Sequence, residues 1–162
     1  AIQIAKNIGA RVISTVGSKD KINYAENLGS DYVLQHYDNS NFVSQIKDIT
    51  NNNGCDVIFE HVGTNTWPNT MKSLAIGGRV VTCGATTGPE ISIDLRHLFM
   101  KQQTIMGSTM SCIKSFKNVM KNIDCDIYKP FVDKIFTFDK VKEAHDYIEN
   151  RLQRGKVVLV PK

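Results

Sequence analysis

Hydrophobic and polar positions alternate between two patterns along the chain, and the patterns predict strands and helices in turn. Short apolar or β-branched runs bounded by glycine are typical of buried strands. Segments with apolar residues three and four positions apart are typical of amphipathic helices. The predicted strands are 11–16, 31–35, 55–59, 79–83, 103–110, 134–138 and 155–160, and the predicted helices are 19–28, 40–50, 64–75, 95–100, 112–124 and 140–151.

The order of these elements predicts an α/β fold. Strands separated by helices pair in parallel through right-handed crossovers. Strands that are apolar throughout indicate a sheet covered on both faces. We therefore predict a doubly wound, mostly parallel, Rossmann-type sheet. No repeat or linker interrupts the pattern, so residues 1–162 are expected to form a single domain.

The first residues, AIQIAKNIG, have the pattern of a helix without a start signal. Neither an initiating Met nor an N-cap residue precedes the first apolar position. A helix that feeds a strand is half of a βαβ unit, so we expect a strand and a Gly-rich turn upstream, in a longer protein. In the doubly wound order that strand lies between 11–16 and 55–59. We expect these two neighbours to close up, or to be completed by another segment or chain.

Composition then narrows the classes of function. The chain is 41% hydrophobic and 22% charged, which is normal for a globular domain. Its net charge of +4 is mild and its lysines are scattered, so neither a nucleic-acid nor a membrane partner is indicated. The four cysteines are widely spaced and form no CxxC pair. We therefore expect free thiols, no bound metal in this chain and a cytoplasmic location.

Ligands of open α/β sheets lie at the carboxyl ends of the strands, so candidate residues are those that follow each strand. Gly17, Ser18 and Lys21 follow the first strand, and no acidic residue stands at its tip. A hydroxyl and an ammonium group suit a ribose 2′-phosphate, although the same residues also fit a solvated helix start. His36 and Tyr37 follow the second strand and could stack on adenine, or be ordinary surface aromatics.

The third and fourth strands end in residues that let a ligand approach the backbone. Gly63 permits close approach, and Val62 offers an apolar face to a ribose or nicotinamide ring. Backbone groups of Cys83, Gly84 and Ala85 could bind a carboxamide. Lys156 could reach a phosphate, or simply lead into the last strand.

The chain resembles the C-terminal cofactor-binding half of the medium-chain dehydrogenase/reductase superfamily in AIQIAKNIGARVISTVGSKDK, GCDVIFEHVG, LAIGGRVVTCGATTG, DLRHLFMKQQTIMGS and GKVVLV. That superfamily includes zinc alcohol dehydrogenases and zinc-free quinone oxidoreductases. The resemblance implies the cofactor-binding part of an NADP(H)-dependent oxidoreductase that transfers a hydride to or from a small carbonyl or alcohol. A non-catalytic dinucleotide-binding or dimerisation module is the alternative.

The resemblance also implies roles for single residues. It places Gly17, Ser18 and Lys21 at the adenosine 2′-phosphate, His36 beside adenine, Val62 and Gly63 at the ribose and nicotinamide, Cys83, Gly84 and Ala85 at the nicotinamide, and Lys156 near a phosphate. NADP(H) is therefore expected rather than NAD(H). Strand 103–109 resembles an edge that pairs between subunits, which implies a homo-oligomer. The superfamily's substrate pocket and zinc ligands lie mostly in another domain, so any zinc is expected outside this chain.

Overall fold

The computed structural model describes residues 1–36 and 41–162. They fall into two compact units, Ala1–Ser111 and Cys112–Lys162. Every strand pairing in the described residues is parallel, and helices connect the strands. The predicted α/β class and parallel pairing are confirmed. Each unit has strands of its own, and the expectation of a single domain stays a prediction.

The first unit contains two sheets. Its elements are α1 (Ile2–Asn7), β1 (Ile13–Val16), a 3-10 turn (Lys19–Lys21), α2 (Ile22–Asn27), β2 (Tyr32–Gln35), α3 (Phe42–Ile49), β3 (Cys55–Glu60), α4 (Trp67–Ser73), β4 (Leu74–Thr82), α5 (Leu95–Met100) and β5 (Thr104–Gly107). One sheet is β1–β2 and the other is β3–β4–β5. In this part of the chain no helix is long and apolar enough to span a bilayer, and the same holds for the rest of the described residues.

The core of the first unit lies on one face of the three-stranded sheet. Ile58, Val80 and Ile105 stand side by side in the register of β3, β4 and β5. Trp67 and Leu74, which are 3% and 2% exposed, join Val80 at the centre of this cluster. Burial of such side chains stabilises the fold by roughly 1.5–3 kcal/mol each. The cluster therefore fixes α4 against the sheet.

The opposite face and the outer edge of β3 differ from the prediction. Val57 and Phe59 are 57% and 54% exposed, so this sheet is not covered on both faces. In the residues described, β1 pairs with β2 and β3 pairs with β4, so the expectation that β1 and β3 close up is wrong. β3 pairs along one edge with β4, and its position is fixed by the packing of Ile58 and the hydrogen bonds of Glu60 to α4. Completion by another segment or chain stays a prediction.

Strand β4 begins five residues before its predicted start. The sequence pattern predicts helix as far as residue 75, but Leu74 already pairs with Cys55. A Cβ on Gly54 would stand 2.8 Å from Ser73 O, so glycine there lets the chain before β3 pass close to the end of α4. Gly77, which looks like a helix stop, lies within the strand and donates its N–H to Lys101 O at 2.8 Å.

The second unit contains α6 (Ile113–Asp124), β6 (Val132–Thr137), a 3-10 turn (Phe138–Lys140), α7 (Val141–Glu149) and β7 (Lys156–Val160). Strands β6 and β7 pair in parallel. Phe136 of β6 and Ala144 of α7 are buried. Oδ2 of Asp133 accepts hydrogen bonds from Tyr147 Oη and Arg154 N, both at 3.0 Å. These contacts tie α7 to the small sheet.

Candidate functional site

The turns that follow β3 and β4 are hydrogen-bonded to each other. Thr87 donates to Val62 O from both its backbone nitrogen, at 2.7 Å, and its hydroxyl, at 2.9 Å. Thr86 N donates to His61 O at 3.3 Å, and Thr64 N donates to Gly88 O at 3.2 Å. Segments 61–66 and 83–88 therefore form one structure, called here the paired turns.

Glycine is required where the paired turns touch. Gly63 has a φ of 95°, and a Cβ on it would stand 2.4 Å from Gly88 O and 3.1 Å from the Ala85 Cα. A Cβ on Gly84 would stand 3.1 Å from His61 O. A side chain at Gly63 would therefore meet both backbone strain and a clash. The structure thus brings together the predicted residues Val62, Gly63, Cys83, Gly84 and Ala85.

A buried carboxylate, which the sequence analysis missed, supports the paired turns from below. Glu60 is 5% exposed. Its Oε1 accepts from Val62 N at 2.6 Å and Gly63 N at 3.3 Å. Its Oε2 accepts from the hydroxyls of Thr70 at 2.7 Å and Thr66 at 3.0 Å. Glu60 therefore ties the turn after β3 to helix α4.

These hydrogen bonds keep Glu60 ionised. Desolvation by burial pushes the pKa of Glu60 up, but the hydrogen bonds from Thr70, Val62, Thr66 and Gly63 outweigh it and hold that pKa below its usual value. A buried carboxylate that accepts several hydrogen bonds is stable without a cation beside it. The charge is thus fixed in place close to the residues that the sequence predicts to face a ligand.

The predicted residues after β1 and β2 also meet. His36 N donates to Val16 O at 3.2 Å, which extends the β1–β2 pairing by one residue and sets His36 beside Gly17. Ser18 has an extended backbone, and its side chain makes no helix-cap hydrogen bond. Lys21 ends the 3-10 turn that follows. Tyr37, the other predicted aromatic, lies outside the described residues.

Electrostatic interactions show that the end of β2 lies near the end of β3. Burial lowers the pKa of His36, the carboxylate of Glu60 raises it, and His61 lowers it further. Charge interactions weaken with distance and are screened by solvent, so all three groups share one neighbourhood. The carboxyl ends of β1, β2, β3 and β4 thus lie on one side of the first unit.

Two further features predicted from the sequence are Lys156 and strand 103–109. Lys156 begins β7 in the second unit, where its N–H donates to Phe131 O at 2.9 Å. Its proximity to a phosphate stays a prediction. The strand predicted at 103–109 is β5, shorter than expected, and within the described residues it pairs only with β4. Pairing of its outer edge with a second subunit also stays a prediction.

The positions of the histidine, cysteine and acidic side chains show whether they could bind a metal ion. Among residues 1–36 and 41–162, no group of three His, Cys, Asp or Glu side chains is placed to hold a metal ion. Cys55, Cys83, Cys112 and Cys125 are free thiols. The residues of this chain that the structure describes do not fit a zinc site.

Known proteins with similar sequences are oxidoreductases by name. The chain is 28% identical to a zinc-type alcohol dehydrogenase-like protein of Schizosaccharomyces pombe, over 98% of this chain and 47% of that protein. It is also 28% identical to the quinone oxidoreductase of Rattus norvegicus, over 98% of this chain and 49% of that protein. The chain therefore spans about half the length of these relatives.

A solved structure and a family assignment agree with these matches. The crystal structure of an NAD-dependent alcohol dehydrogenase superposes with a TM-score of 0.93 at 34% identity, over 100% of this chain and 47% of that one. Residues 1–124 match the zinc-binding dehydrogenase family, which confirms the resemblance to the cofactor-binding half of the medium-chain dehydrogenase/reductases. With 124 of its 162 residues inside that match, the chain belongs to the zinc-binding dehydrogenase family.

Proposed function

We propose that this chain is the cofactor-binding part of an NADP(H)-dependent oxidoreductase, and that the dinucleotide lies across the carboxyl ends of β1 to β4. The observation that carries the proposal is the close contact of the paired turns at Gly63, where a Cβ would stand 2.4 Å from Gly88 O. This contact holds the turns after β3 and β4 together at the carboxyl ends of the strands, which is where the ligands of open α/β sheets lie. Membership of a dehydrogenase family supports the same conclusion.

The adenosine end is assigned to the residues after β1 and β2. Ser18 and Lys21 offer a hydroxyl and an ammonium group, and the tip of β1 carries no carboxylate. Such a pair favours a 2′-phosphate over free ribose hydroxyls. His36, held beside Gly17 by its bond to Val16 O, would contact adenine. Because the superposed alcohol dehydrogenase is NAD-dependent, the preference for NADP(H) depends on Ser18 and Lys21.

The nicotinamide end is assigned to the paired turns. A nicotinamide dinucleotide supplies the hydride donor or acceptor in reactions of this class. Val62 would press an apolar side chain on the ring and exclude water, and backbone groups of 83–85 would orient its carboxamide. Glu60 would hold Val62 and Gly63 in the binding conformation, because it accepts hydrogen bonds from both of their N–H groups.

The substrate is proposed to be a small carbonyl compound or alcohol. Relatives are named zinc-type alcohol dehydrogenase-like protein, acryloyl-coenzyme A reductase and quinone oxidoreductase, and each name denotes an oxidation or a reduction. The described residues of this chain offer no ligand set for zinc, so any zinc in the whole protein would be held by residues outside them. We further propose a homo-oligomer that pairs across β5, and a reducing, cytoplasmic location, which the free cysteines favour.

Titration with the two halves of the dinucleotide tests this assignment. We expect 2′,5′-ADP to shift the NMR signals of Ser18 and His36, and nicotinamide mononucleotide to shift those of Gly63 and Ala85. 5′-AMP, which lacks the 2′-phosphate, is the matched control and should bind more weakly than 2′,5′-ADP. Signals that stay unchanged with both half-ligands, or that change only in the second unit, would overturn the proposal.

Hydride transfer needs a second measurement. The chain should be joined to the additional sequence that would bring it to the length of its relatives, and NADPH oxidation followed with quinones and aldehydes. Turnover would support the oxidoreductase. Dinucleotide binding without turnover on any of these substrates would instead favour the non-catalytic module.

A further inference from the structure

A cavity of about 630 Å³ lies at the end of the first unit where strands β3 and β4 begin. The candidate dinucleotide site lies at the opposite end, because all these strands run in parallel. The lining residues that matter for its chemistry are Arg11, Lys47, Lys72, Lys101, Asp56 and Ile76. We call this space the basal cavity. Its volume is in the range of small-molecule sites.

The basal cavity collects positive charge from four separate parts of the chain. Arg11 precedes β1, Lys47 and Lys72 lie in the last turns of α3 and α4, and Lys101 follows α5. Within the residues that the structure describes, none of the four lies within 4.0 Å of a carboxylate oxygen. Elsewhere on the chain such pairs are common, as in Lys6–Asp31 at 2.8 Å and Lys162–Asp139 at 3.1 Å.

The dipoles of three helices offset part of this positive charge. Lys47, Lys72 and Lys101 stand at the C-termini of helices, where cations interact favourably with the helix dipole. Four cations against the lining carboxylate of Asp56 leave three positive charges, and Asp31, whose pKa is lowered by Lys6 and in smaller part by Arg11, offsets part of them. Three helix ends at about −0.5 charge each remove roughly half of that. The positive charge that remains, part of it on Arg11, which ends no helix, favours an anion in the basal cavity.

One wall of the basal cavity is rigid. The Thr50 hydroxyl donates to Ile46 O at 2.7 Å and accepts from Gly54 N at 2.9 Å. Thr50 is buried, and the Gly54 backbone packs against Ser73 O so closely that a Cβ there would stand 2.8 Å away. The turn from Thr50 to Gly54 is therefore held in place before any ligand arrives, which lowers the entropic cost of binding.

Another wall is apolar. Leu74 and Ala75 are buried in the start of β4, and Ile76 beside them is 78% exposed although it is large and hydrophobic. Exposed isoleucine next to several cations suits a ligand with both an apolar part and a negative charge. Lysine and arginine are the usual protein partners of phosphoryl groups.

We propose that the basal cavity binds a small organic phosphate, with its phosphoryl group among Arg11, Lys72 and Lys101 and its carbon skeleton against Ile76. This site is separate from the dinucleotide site and does not depend on the function proposed above. It is assigned from convergent charge, a rigid wall and an exposed apolar side chain within one compact unit.

Phenyl phosphate and inorganic phosphate are the probes for this site. We expect phenyl phosphate to shift the NMR signals of Gly54, Ala75 and Ile76, and to bind more tightly than inorganic phosphate. Ile76→Ser should remove the difference between the two probes. Arg11→Ala and Lys72→Ala should each weaken phenyl phosphate by roughly tenfold, the effect of losing one charge-assisted hydrogen bond.

Two matched variants separate this site from others. Lys117→Ala, on helix α6 of the second unit, removes an equivalent exposed charge and should leave binding unchanged. Lys21→Ala should also leave it unchanged, so failure at the dinucleotide site cannot imitate failure here. Shifts that occur only at Ser18 and Gly63, or equal losses in the Lys72 and Lys117 variants, would overturn the proposal.

Discussion

The backbone nitrogen of Val62 lies 2.6 Å from Oε1 of Glu60, in a hydrogen bond that joins a buried carboxylate to the turn after β3. The other carboxylate oxygen is occupied by the hydroxyls of Thr66 and Thr70. Glu60 thus determines the direction of the Val62 and Gly63 N–H groups while its own side chain stays buried. The shape of the ligand-facing turn depends on a residue that lies beneath it.

Removing the Glu60 carboxylate should destabilise the first unit and loosen this turn. Glu60→Ala leaves the Thr70 hydroxyl and the N–H groups of Val62 and Gly63 without their acceptor, and each buried unsatisfied group costs about 1–3 kcal/mol. We expect a loss of about 3 kcal/mol or more in the free energy of unfolding, measured with urea. Binding of nicotinamide mononucleotide should weaken together with stability.

Glu60→Gln is the matched control for that variant. Its amide oxygen still accepts from Val62 N and Gly63 N, and its amide nitrogen can donate to the two hydroxyls. We expect a loss of only about 1 kcal/mol and nearly unchanged mononucleotide binding. If glutamine and alanine weaken binding equally while the alanine variant remains folded, the hydrogen-bonded shape of the turn is not what Glu60 provides.

The pH dependence of stability should carry a component from Glu60. Its pKa in the folded chain lies below the usual 4.5, so above that pH its ionisation favours the folded state. As pH falls from about 4.5 through the folded pKa, the carboxylate takes up a proton and this contribution is lost. We expect the stability difference between wild type and Glu60→Gln to be constant near neutral pH and to shrink below pH 4.5. A difference that grows on acidification would contradict the assignment.

The contact at Gly63 gives a third prediction. Gly63→Ala places a Cβ 2.4 Å from Gly88 O at a φ of 95°, so it adds a clash to backbone strain. Gly77→Ala has a φ of 70° with nothing within 4 Å, so it measures strain alone, about 1–2 kcal/mol. We expect Gly63→Ala to be clearly less stable than Gly77→Ala in thermal unfolding, and to lose mononucleotide binding. Equal stability of the two variants would show that the paired turns can separate without penalty.

The first three strands were predictable because their short apolar runs agree with the fold. β1, β2 and β3 lie within a few residues of their predicted limits. The start of β4 was not predictable from the sequence, because Leu74, Ala75 and Ile76 fit either a helix or a buried strand. The pairing of Leu74 with Cys55 decides between them, and that contact joins residues far apart in sequence. Tertiary contacts override the local pattern at this point.

The candidate site was predictable in its turns but not in what supports them. The rule that ligands lie at strand ends leads to Gly17, Val62 and Gly63 without any structure. Glu60 was missed because its partners include Thr70, ten residues further on. Side chains along a strand alternate between its two faces, so Glu60, two positions after the core residue Ile58, faces α4 as Ile58 does. This alternation is the sequence signal that identifies Glu60 as buried. A carboxylate at such a position needs hydrogen-bond donors.

The 2′-phosphate assignment makes a prediction about Lys21. Lys21→Ala should weaken NADPH by roughly 1–3 kcal/mol, the value of one charge-assisted hydrogen bond, and leave NADH almost unchanged. Calorimetric titration of both dinucleotides gives the two numbers, and Lys117→Ala controls for the general loss of positive charge. Equal effects on NADPH and NADH, or tighter binding of NADH to the wild-type chain, would remove the role of Ser18 and Lys21.

Cysteine modification can locate the nicotinamide end directly. Cys83 and Cys125 are both exposed, but only Cys83 belongs to the paired turns. Burial raises the pKa of Cys55, which should therefore react slowly, whereas the Ser115 hydroxyl lowers the pKa of Cys112, which should react readily. We expect nicotinamide mononucleotide to slow alkylation of Cys83 by iodoacetamide and to leave Cys125 unaffected. Mass spectrometry of the digested chain measures both reactions.

Since 5′-AMP should not cover the paired turns, it should protect neither thiol. Equal slowing of both cysteines would point to a general change in the chain, and undiminished reaction at Cys83 would place the nicotinamide ring elsewhere.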